Sequence, residues 1–264
     1  MKILLCNDDG IFAPGLRALL PELRKLGDVT VVAPATEQSA VGHSITLLTP
    51  LLVQDVYDEH NERIGWAVEG RPADCVKLAM TELLKEPPDL LVSGMNSGSN
   101  AGINVLYSGT VAAAIEGAFF DVPSIAVSLE YQRPLKLNYP LAATLARRVI
   151  EQIITHRLEP GMLINVNIPS LDQGLPKGIR VVPHGTRRYE ESYDRRKDPR
   201  GRTYFWITTK IECPPGSGEA DVTALSDHFI TVTPLQFDLT SYRDLDCMQN
   251  WQWNMDSIRM EPLQ

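Results

Sequence analysis

The chain has 264 residues, of which 44% are hydrophobic and 22% are charged, a composition that excludes disordered and fibrous classes. Its length allows one large domain, or a core with a sizeable appendage. The 25 basic and 33 acidic side chains give a net charge of −8. Because this charge repels nucleic-acid polymers and anionic membranes, we expect neither as a partner, and a small anionic ligand would need a concentrated positive element.

The N-terminal segment and the cysteines predict a cytoplasmic location. The first apolar run is too short for a secretory signal before Asp8 and Asp9, and no later run approaches the roughly 18 apolar residues of a membrane span. The four cysteines contain no C-x-x-C pair and stand at Cys6, Cys75, Cys213 and Cys247. Such scattered thiols are typical of a reducing compartment, and they argue against a zinc ribbon or a disulfide framework.

The first half of the chain predicts strands that alternate with helices. Short apolar runs predict strands at Lys2–Cys6, Val29–Ala33, Leu90–Ser93, Ser124–Leu129 and Leu163–Asn167. Helical spacing of apolar residues predicts helices near 16–23, 73–85, 110–120 and 141–153. Pro21 is expected to kink or restart the first of these helices. This alternation indicates a parallel, doubly wound sheet with ligands at the carboxyl ends of its strands.

After about residue 170 the pattern changes, because proline and glycine become frequent. Thr203–Thr209 and Phe229–Pro234 predict antiparallel strands, with a loop at 212–218 between them. We therefore expect residues 1–170 to form a Rossmann-like catalytic core and residues 171–264 an extended hairpin and arm region. This region would pack on the core and mediate oligomerisation. The predicted fold class is α/β, with a Rossmann-like, doubly wound, mainly parallel sheet and a smaller C-terminal β-rich extension.

Polar residues that follow the predicted strands indicate a metal site. Asp8 and Asp9 follow the first strand, where two adjacent carboxylates repel each other and need a positive partner. The alternative is an ordinary Asx-turn in which Gly10 adopts an unusual backbone angle. If the loops converge, Ser39 and Asn96 add two neutral oxygen ligands. Oxygen donors favour Mg²⁺, Mn²⁺ or Ca²⁺ over Zn²⁺, and an incomplete octahedron leaves positions for water and substrate.

A predicted helix that begins after Tyr107 supplies a candidate anion site. Ser108, Gly109 and Thr110 lie at its start, where backbone N–H groups and the helix dipole favour a phosphate. A plain N-cap by Ser108 is the simpler interpretation, and the two are compatible. Together with a cation, this helix end predicts phosphomonoester hydrolysis by a metal-activated water. Asp8 would be the main ligand, and Asp9 a ligand and possible proton acceptor.

Several motifs occur in a fixed order along the chain. They are N-D-D-G at 7–10, A-P-G-L at 13–16, V-A-P at 32–34, Q-S at 38–39, G-R-P-A-D-C-V at 70–76, V-S-G-M-N at 92–96 and Y-S-G-T-V-A-A-A at 107–114. Shorter matches follow at 185–187, 198–201 and 230–235. In these motifs the chain resembles the SurE family of survival-protein 5′-nucleotidases.

This resemblance implies a Rossmann-like fold and one divalent cation per subunit, Mg²⁺ or Mn²⁺ before Ca²⁺, at Asp8, Asp9, Ser39 and Asn96. It implies release of phosphate from nucleoside 5′-monophosphates, sometimes with 3′-nucleotidase or exopolyphosphatase side activities. It also implies homodimers or homotetramers whose C-terminal arm is exchanged between subunits. The residues expected to bind the substrate phosphate are Asn7, Gly42, Asn96, Ser108, Gly109 and Thr110.

Another interpretation of the acidic pair is a receiver-like phosphorelay signalling domain, which also binds Mg²⁺ at the end of its first strand. That class requires a phosphoacceptor aspartate at the end of a central strand, where this chain has Gly-Met-Asn at 94–96. Phosphatases of the haloacid type use a D-x-D spacing, whereas Asp9 follows Asp8 directly here. The sequence therefore favours the nucleotidase over both.

Overall fold

A nine-stranded, mainly parallel sheet forms the centre of the structure, a computed structural model that describes residues 1–58, 60–131, 137–186, 190–210 and 219–254. Its strands are β1 (Lys2–Cys6), β2 (Asp28–Pro34), β3 (Val53–Tyr57), β4 (Arg63–Val68), β5 (Leu90–Ser97), β6 (Ser124–Leu129), β7 (Leu163–Ile168), β8 (Ile179–Val181) and β11 (Ile230–Leu235). Their order is β3-β4-β2-β1-β5-β6-β7-β11-β8. The six strands from β4 to β7 run parallel, and β3 and β11 pair antiparallel with β4 and β7. The predicted fold class is confirmed.

Helices cover both faces of this sheet. The helices are α1 (Pro14–Leu23), α2 (Pro72–Leu78), α3 (Gly109–Phe119), α4 (Tyr139–Ile153), α5 (Asp221–Ser226) and α6 (Tyr242–Gln249). Helix α1 packs against α4, and α2 packs against α3. Alternate residues of β1 enter the two cores, because Ile3 and Leu5 pack with the α1 side, and Leu4 and Cys6 with the α2 side. Burial on both faces explains why the parallel strands are almost continuously apolar.

Three predicted elements differ in their bounds from the observed ones. Helix α1 includes Pro21 and ends two residues later, so the proline neither ends nor restarts it. Strand β5 continues past Ser93 to Ser97, because pairing with β6 resumes at Asn96 after a register shift. The helix predicted at 73–85 is α2 followed by a π-helical turn, Ala79–Leu83.

The second half of the chain contributes to two sheets. Strands β9 (Glu190–Lys197) and β10 (Thr203–Lys210) form a separate antiparallel hairpin, as predicted for Thr203–Thr209. The strand predicted at Phe229–Pro234 is β11, whose antiparallel partner is β7 of the main sheet. Residues 171–264 therefore extend the main sheet as well as forming a hairpin, and a boundary at 170 stays a prediction. The predicted loop at 212–218 lies outside the described residues.

Asp221, at the start of α5, connects the two halves of the chain. Its fully buried carboxylate accepts N–H bonds from Gly102 (2.9 Å), Gly185 (2.8 Å) and Val222 (2.8 Å). Gly102 begins a 3₁₀ turn, Gly102–Tyr107, that leads into α3. A charged acceptor with several N–H donors makes strong hydrogen bonds, so Asp221 fixes this turn in place. Within the described ranges, no helix combines the length and the apolar character needed to cross a membrane.

Candidate metal and phosphate site

A polar cavity of about 540 Å³ opens where β1, β5 and β6 end. The chain leaves β1 toward β2 on one side, and β5 lies on the other, so the sheet has its topological switch point here. In open α/β sheets ligands bind in the crevice at such a point. Four of the residues predicted from sequence line the cavity: Asp8, Ser39, Asn96 and Ser108.

Asp8 lies against the first turn of α3. Its side chain is buried, and the Thr110 hydroxyl donates a hydrogen bond to Asp8 Oδ1. A Cβ at Gly109 would lie 2.8 Å from Asp8 Cβ and 3.0 Å from Asp8 Oδ2, so only glycine allows this approach. Burial raises the pKa of Asp8, and the hydrogen bond from Thr110 opposes that rise. The hydrogen bond from Thr110 and the positive end of the α3 dipole therefore partly compensate the negative charge of Asp8.

Asp9 adds a second negative charge beside Asp8. Its Oδ2 accepts the backbone N–H of Ser97 at 3.2 Å. Burial, followed by repulsion from the Asp8 carboxylate and a smaller contribution from Glu37, raises the pKa of Asp9 to about 6. Glu130 also lines the cavity, and no Lys, Arg or His does so in the part of the chain that the structure describes. The carboxylates therefore have no protein cation beside them in the described lining.

Ser39 and Asn96 bring neutral oxygens to the same cavity. The Ser39 hydroxyl donates to Glu37 at 2.6 Å, so its oxygen lone pairs remain available. The Asn96 amide nitrogen donates to the carbonyl of Gly98 at 2.7 Å, which leaves Asn96 Oδ1 as its acceptor atom. The register shift between Ser93 and Asn96 is a local bulge, a feature that often re-aims a side chain beside a functional site.

This donor set fits a hard divalent cation. Two carboxylates, a hydroxyl and an amide oxygen are the ligands that Mg²⁺, Mn²⁺ and Ca²⁺ prefer. The described residues contain no group of three or more His, Cys, Asp and Glu side chains that could hold a metal ion, so a cation here would also need the neutral oxygens of Ser39 and Asn96. A cation would also neutralise the acidic pair. The assignment of Asp8, Asp9, Ser39 and Asn96 as its ligands stays a prediction.

Of three further residues predicted to bind phosphate, Ser108 lines the cavity, whereas Asn7 and Gly42 form hydrogen bonds within the surrounding loops. Ser108 lines it and caps α3, since its hydroxyl accepts the N–H of Val111 at 3.1 Å. Asn7 is fully buried. Its side-chain nitrogen donates to the carbonyl of Gly10 at 2.9 Å, and its side-chain oxygen accepts the N–H of Gly10 at 3.2 Å. Gly42 donates its N–H to the carbonyl of Tyr107 at 3.0 Å. Asn7 and Gly42 thus hold the loops in shape, and a contact of either with phosphate stays a prediction.

Some residues of the cavity were missed by the sequence reasoning. Glu130 and Tyr131 follow β6 directly, and Tyr107 ends the turn before α3. Tyr139 lies nearby, where it shares a hydrogen bond with Ser97 and burial raises its pKa. Position immediately after a parallel strand is the signal that could have identified Glu130 and Tyr131.

A buried polar network fixes the loop that follows β5. The backbone N–H of Asn100 donates to Asn167 Oδ1 at 2.8 Å. The side-chain nitrogen of Asn100 donates to Ser128 Oγ at 2.8 Å. The amide of Asn165 donates to the carbonyl of Asn100 at 2.7 Å. The backbone N–H and carbonyl of Asn100 are thus both hydrogen-bonded to side chains, although Asn165 Oδ1 is buried without a partner among the described residues. One wall of the cavity is therefore preformed.

Comparison with known proteins identifies close relatives over nearly the whole chain. The profile of the family described as survival protein SurE matches residues 3–191. A 5′-nucleotidase SurE from Rhodopirellula baltica is 52% identical over 95% of this chain and 98% of its own length. One from Heliobacterium modesticaldum is 46% identical, over 95% and 92%. The crystal structure of the SurE protein from Aquifex aeolicus superposes with a TM-score of 0.80 at 36% identity, covering 94% of this chain and 98% of that one.

The repulsion at Asp9 predicts a pH-dependent stability of the cation-free protein. Because the pKa of Asp9 is raised from 3.8 in the unfolded chain to about 6 in the folded one, the folded state binds the proton more tightly. The stability that Asp9 contributes is present at low pH and falls as pH rises through about 6. Relative to Asp9→Asn, the wild type should lose about 1–2 kcal/mol between pH 4.5 and 7.5, a value discounted for solvent exposure.

Urea denaturation in EDTA at the two pH values measures this difference, and Asp28→Asn, at an exposed position on β2, is the control expected to match the wild type. Adding Mn²⁺ at pH 7.5 should stabilise the wild type and not Asp9→Asn. Identical pH profiles of Asp9→Asn and wild type would contradict the electrostatic account of the acidic pair.

Proposed function

The chain belongs to the SurE family, and from this membership we propose that it is a divalent-cation-dependent phosphomonoesterase acting on nucleoside 5′-monophosphates. The observation that carries the proposal is the contact between the Asp8 carboxylate and the N-terminus of α3 at the cavity. In this proposal Asp8 would bind the cation, and the N-terminus of α3 beside it would bind the phosphoryl group. Phosphate transfer needs both, since the phosphoryl group is anionic and its transition state spreads negative charge.

The first step of the proposed mechanism is binding of the phosphoryl group. The backbone N–H groups in the first turn of α3 and the dipole of its 11 residues favour an anion in front of Ser108 and Gly109. The Thr110 hydroxyl donates to Asp8 Oδ1, and this hydrogen bond holds the Asp8 carboxylate in one orientation. A bound divalent cation would supply Lewis-acid polarisation of the phosphoryl group and lower the pKa of a water.

The second step is attack by water on the phosphorus. Asp9 lies beside Asp8, and only its Oδ2 is occupied by the N–H of Ser97. Its second oxygen would accept a proton from the attacking water. Asn96 and Ser39 line the same cavity, and their oxygens would help to hold the reactants in line. The bond between phosphorus and the ribose 5′-oxygen would break, and the leaving oxygen would take up the proton that Asp9 accepted, which gives a nucleoside and inorganic phosphate.

The receiver-like alternative has less support. A receiver needs a carboxylate at the end of the strand beside β1, and β5 carries Asn96 there. The relatives described above bear the name 5′-nucleotidase, which is an enzyme name. We propose Mg²⁺ or Mn²⁺ as the cation, one per subunit. The free thiols of Cys6, Cys75 and Cys247 support a cytoplasmic location.

We also propose that the protein functions as a homodimer or homotetramer. Helix α6 and the residues after it expose large apolar side chains, among them Tyr242 (62%), Trp251 (53%) and Trp253 (68%). A second, mainly apolar groove of about 850 Å³ runs beside α3, where Phe119 and Phe237 line it. Contiguous exposed apolar surfaces of this kind mark interaction sites. A second copy of the chain is the partner we propose for them.

The phosphatase proposal predicts that Asp8 and Gly109 are essential. Asp8→Asn should reduce Mn²⁺-dependent phosphate release from 5′-AMP by more than about 100-fold, because a cation ligand is lost. Gly109→Ala should reduce it at least about tenfold, because the new methyl group displaces the Asp8 side chain. Phosphate release with and without EDTA, across 5′- and 3′-monophosphates and polyphosphate, measures both.

Asp28→Asn serves again as the control and should keep wild-type turnover. Circular dichroism spectra that match the wild type would show that the two site variants fold. Full turnover of Asp8→Asn would overturn the mechanism. A stable, acid-labile phosphoprotein formed from acetyl phosphate would support the receiver-like alternative instead.

If copies of the chain associate through α6 and the residues that follow it, substitutions there should weaken the assembly. Light scattering after size-exclusion chromatography should give a dimer or tetramer for the wild type. Replacing Leu245 and Trp251 by serine should shift the protein toward monomer, because each of these side chains is at least 40% exposed in a single chain. Arg243→Ser, on the same helix, is the matched control. A monomeric wild type would contradict the proposal.

A further inference from the structure

The two tyrosines of the polar cavity are its only aromatic side chains in the described part of the chain. Tyr107 and Tyr131 line the same space as Asp8 and Asn96. Tyr107 is 56% exposed and Tyr131 is 36% exposed, so part of each side chain is accessible to a ligand. The rest of the described lining is Ser, Asn, Gly and Ala together with carboxylates, none of which supplies a flat apolar surface.

The backbone holds both tyrosines in place before any ligand binds. A Cβ at Gly98 would lie 3.4 Å from Tyr131 Cε1, so the ring of Tyr131 rests against Gly98. The carbonyl of Gly98 accepts the amide of Asn96, which connects the position of this ring to the candidate cation ligand. The carbonyl of Tyr107 accepts the N–H of Gly42, and its 3₁₀ turn is anchored by Asp221 through Gly102. Preformed aromatic surfaces bind ligands at low entropic cost.

Resting on the proposed function, we infer that Tyr107 and Tyr131 form a stacking platform for the nucleobase and so determine selectivity for nucleotides over other phosphomonoesters. A cavity of about 540 Å³ has the size of a small-ligand site and can hold a base and a sugar beyond the phosphate. Aromatic side chains stack on any base, since every base has a π-face. The polar groups of Ser99 and Asn104, which also line the cavity, suit the hydroxyls of the sugar.

The test compares a substrate that has a base with one that lacks it. With Mn²⁺, initial rates are measured on 5′-AMP and on ribose 5-phosphate for the wild type, Tyr107→Ala and Tyr131→Ala. We expect each alanine variant to raise KM for 5′-AMP about tenfold, with kcat nearly unchanged and with KM for ribose 5-phosphate unchanged. Tyr107→Phe and Tyr131→Phe should restore the wild-type KM, because phenylalanine keeps the ring.

Tyr57→Ala, at an exposed tyrosine on β3 outside the cavity, is the matched control and should behave as the wild type on both substrates. Equal losses on 5′-AMP and ribose 5-phosphate, or no loss on either, would overturn the inference. Equal losses would mean that the tyrosines only maintain the fold of the cavity.

A binding measurement separates this inference from the proposed function. Calorimetric titration with a phosphonate analogue of AMP that cannot be hydrolysed reports stacking without turnover. If the wild type releases no phosphate but binds the analogue about tenfold more tightly than the alanine variants do, the platform is retained and the phosphatase proposal fails. If the wild type is active and all variants bind the analogue equally, the phosphatase proposal is retained and the platform is rejected.

Discussion

The close contact between the Asp8 carboxylate and the first turn of α3 is the constraint on which the rest of the site depends. A buried carboxylate is costly unless hydrogen bonds or a positive charge compensate it. Here Thr110 donates to it, and the missing side chain of Gly109 lets the helix approach. The contact requires β1 to end where α3 begins, which the switch point of the doubly wound sheet provides. The geometry of the site therefore depends on the order of the strands in the sheet.

Charge explains why the proposed activity needs a cation at this place. The chain carries a net charge of −8. Asp8 and Glu130 line the cavity, and Asp9 is adjacent to Asp8. An anionic substrate would be repelled by these carboxylates alone. A divalent cation bound between the acidic pair, with the N-terminus of α3 beside it, would reverse the sign of the local electrostatic potential and leave the acidic protein surface unchanged.

Much of this arrangement could be predicted from the sequence, because local patterns determine it. The apolar runs of β1, β2, β5, β6 and β7 predicted the core strands. The polar segments that follow these runs in the sequence contain Asp8, Ser39 and Asn96, which line one cavity. Strands β3 and β4 were missed. Strand β3 is at the edge of the sheet, and only Val56 of its five residues is buried, so it has no continuous apolar run. The place of β11 in the main sheet was missed because its partner β7 is distant in the sequence. Tyr107 and Tyr131 were missed because aromatic residues in loops have no periodicity that marks them.

We propose that the carboxyl ends of β1, β2 and β5 together bind one cation. Anomalous diffraction at the manganese edge, from crystals grown without metal and then soaked in Mn²⁺, measures this binding directly. We expect one strong peak per chain, within about 2.3 Å of oxygen atoms of Asp8, Asp9, Ser39 and Asn96. No peak in this cavity, or a peak held only by other residues, would contradict it.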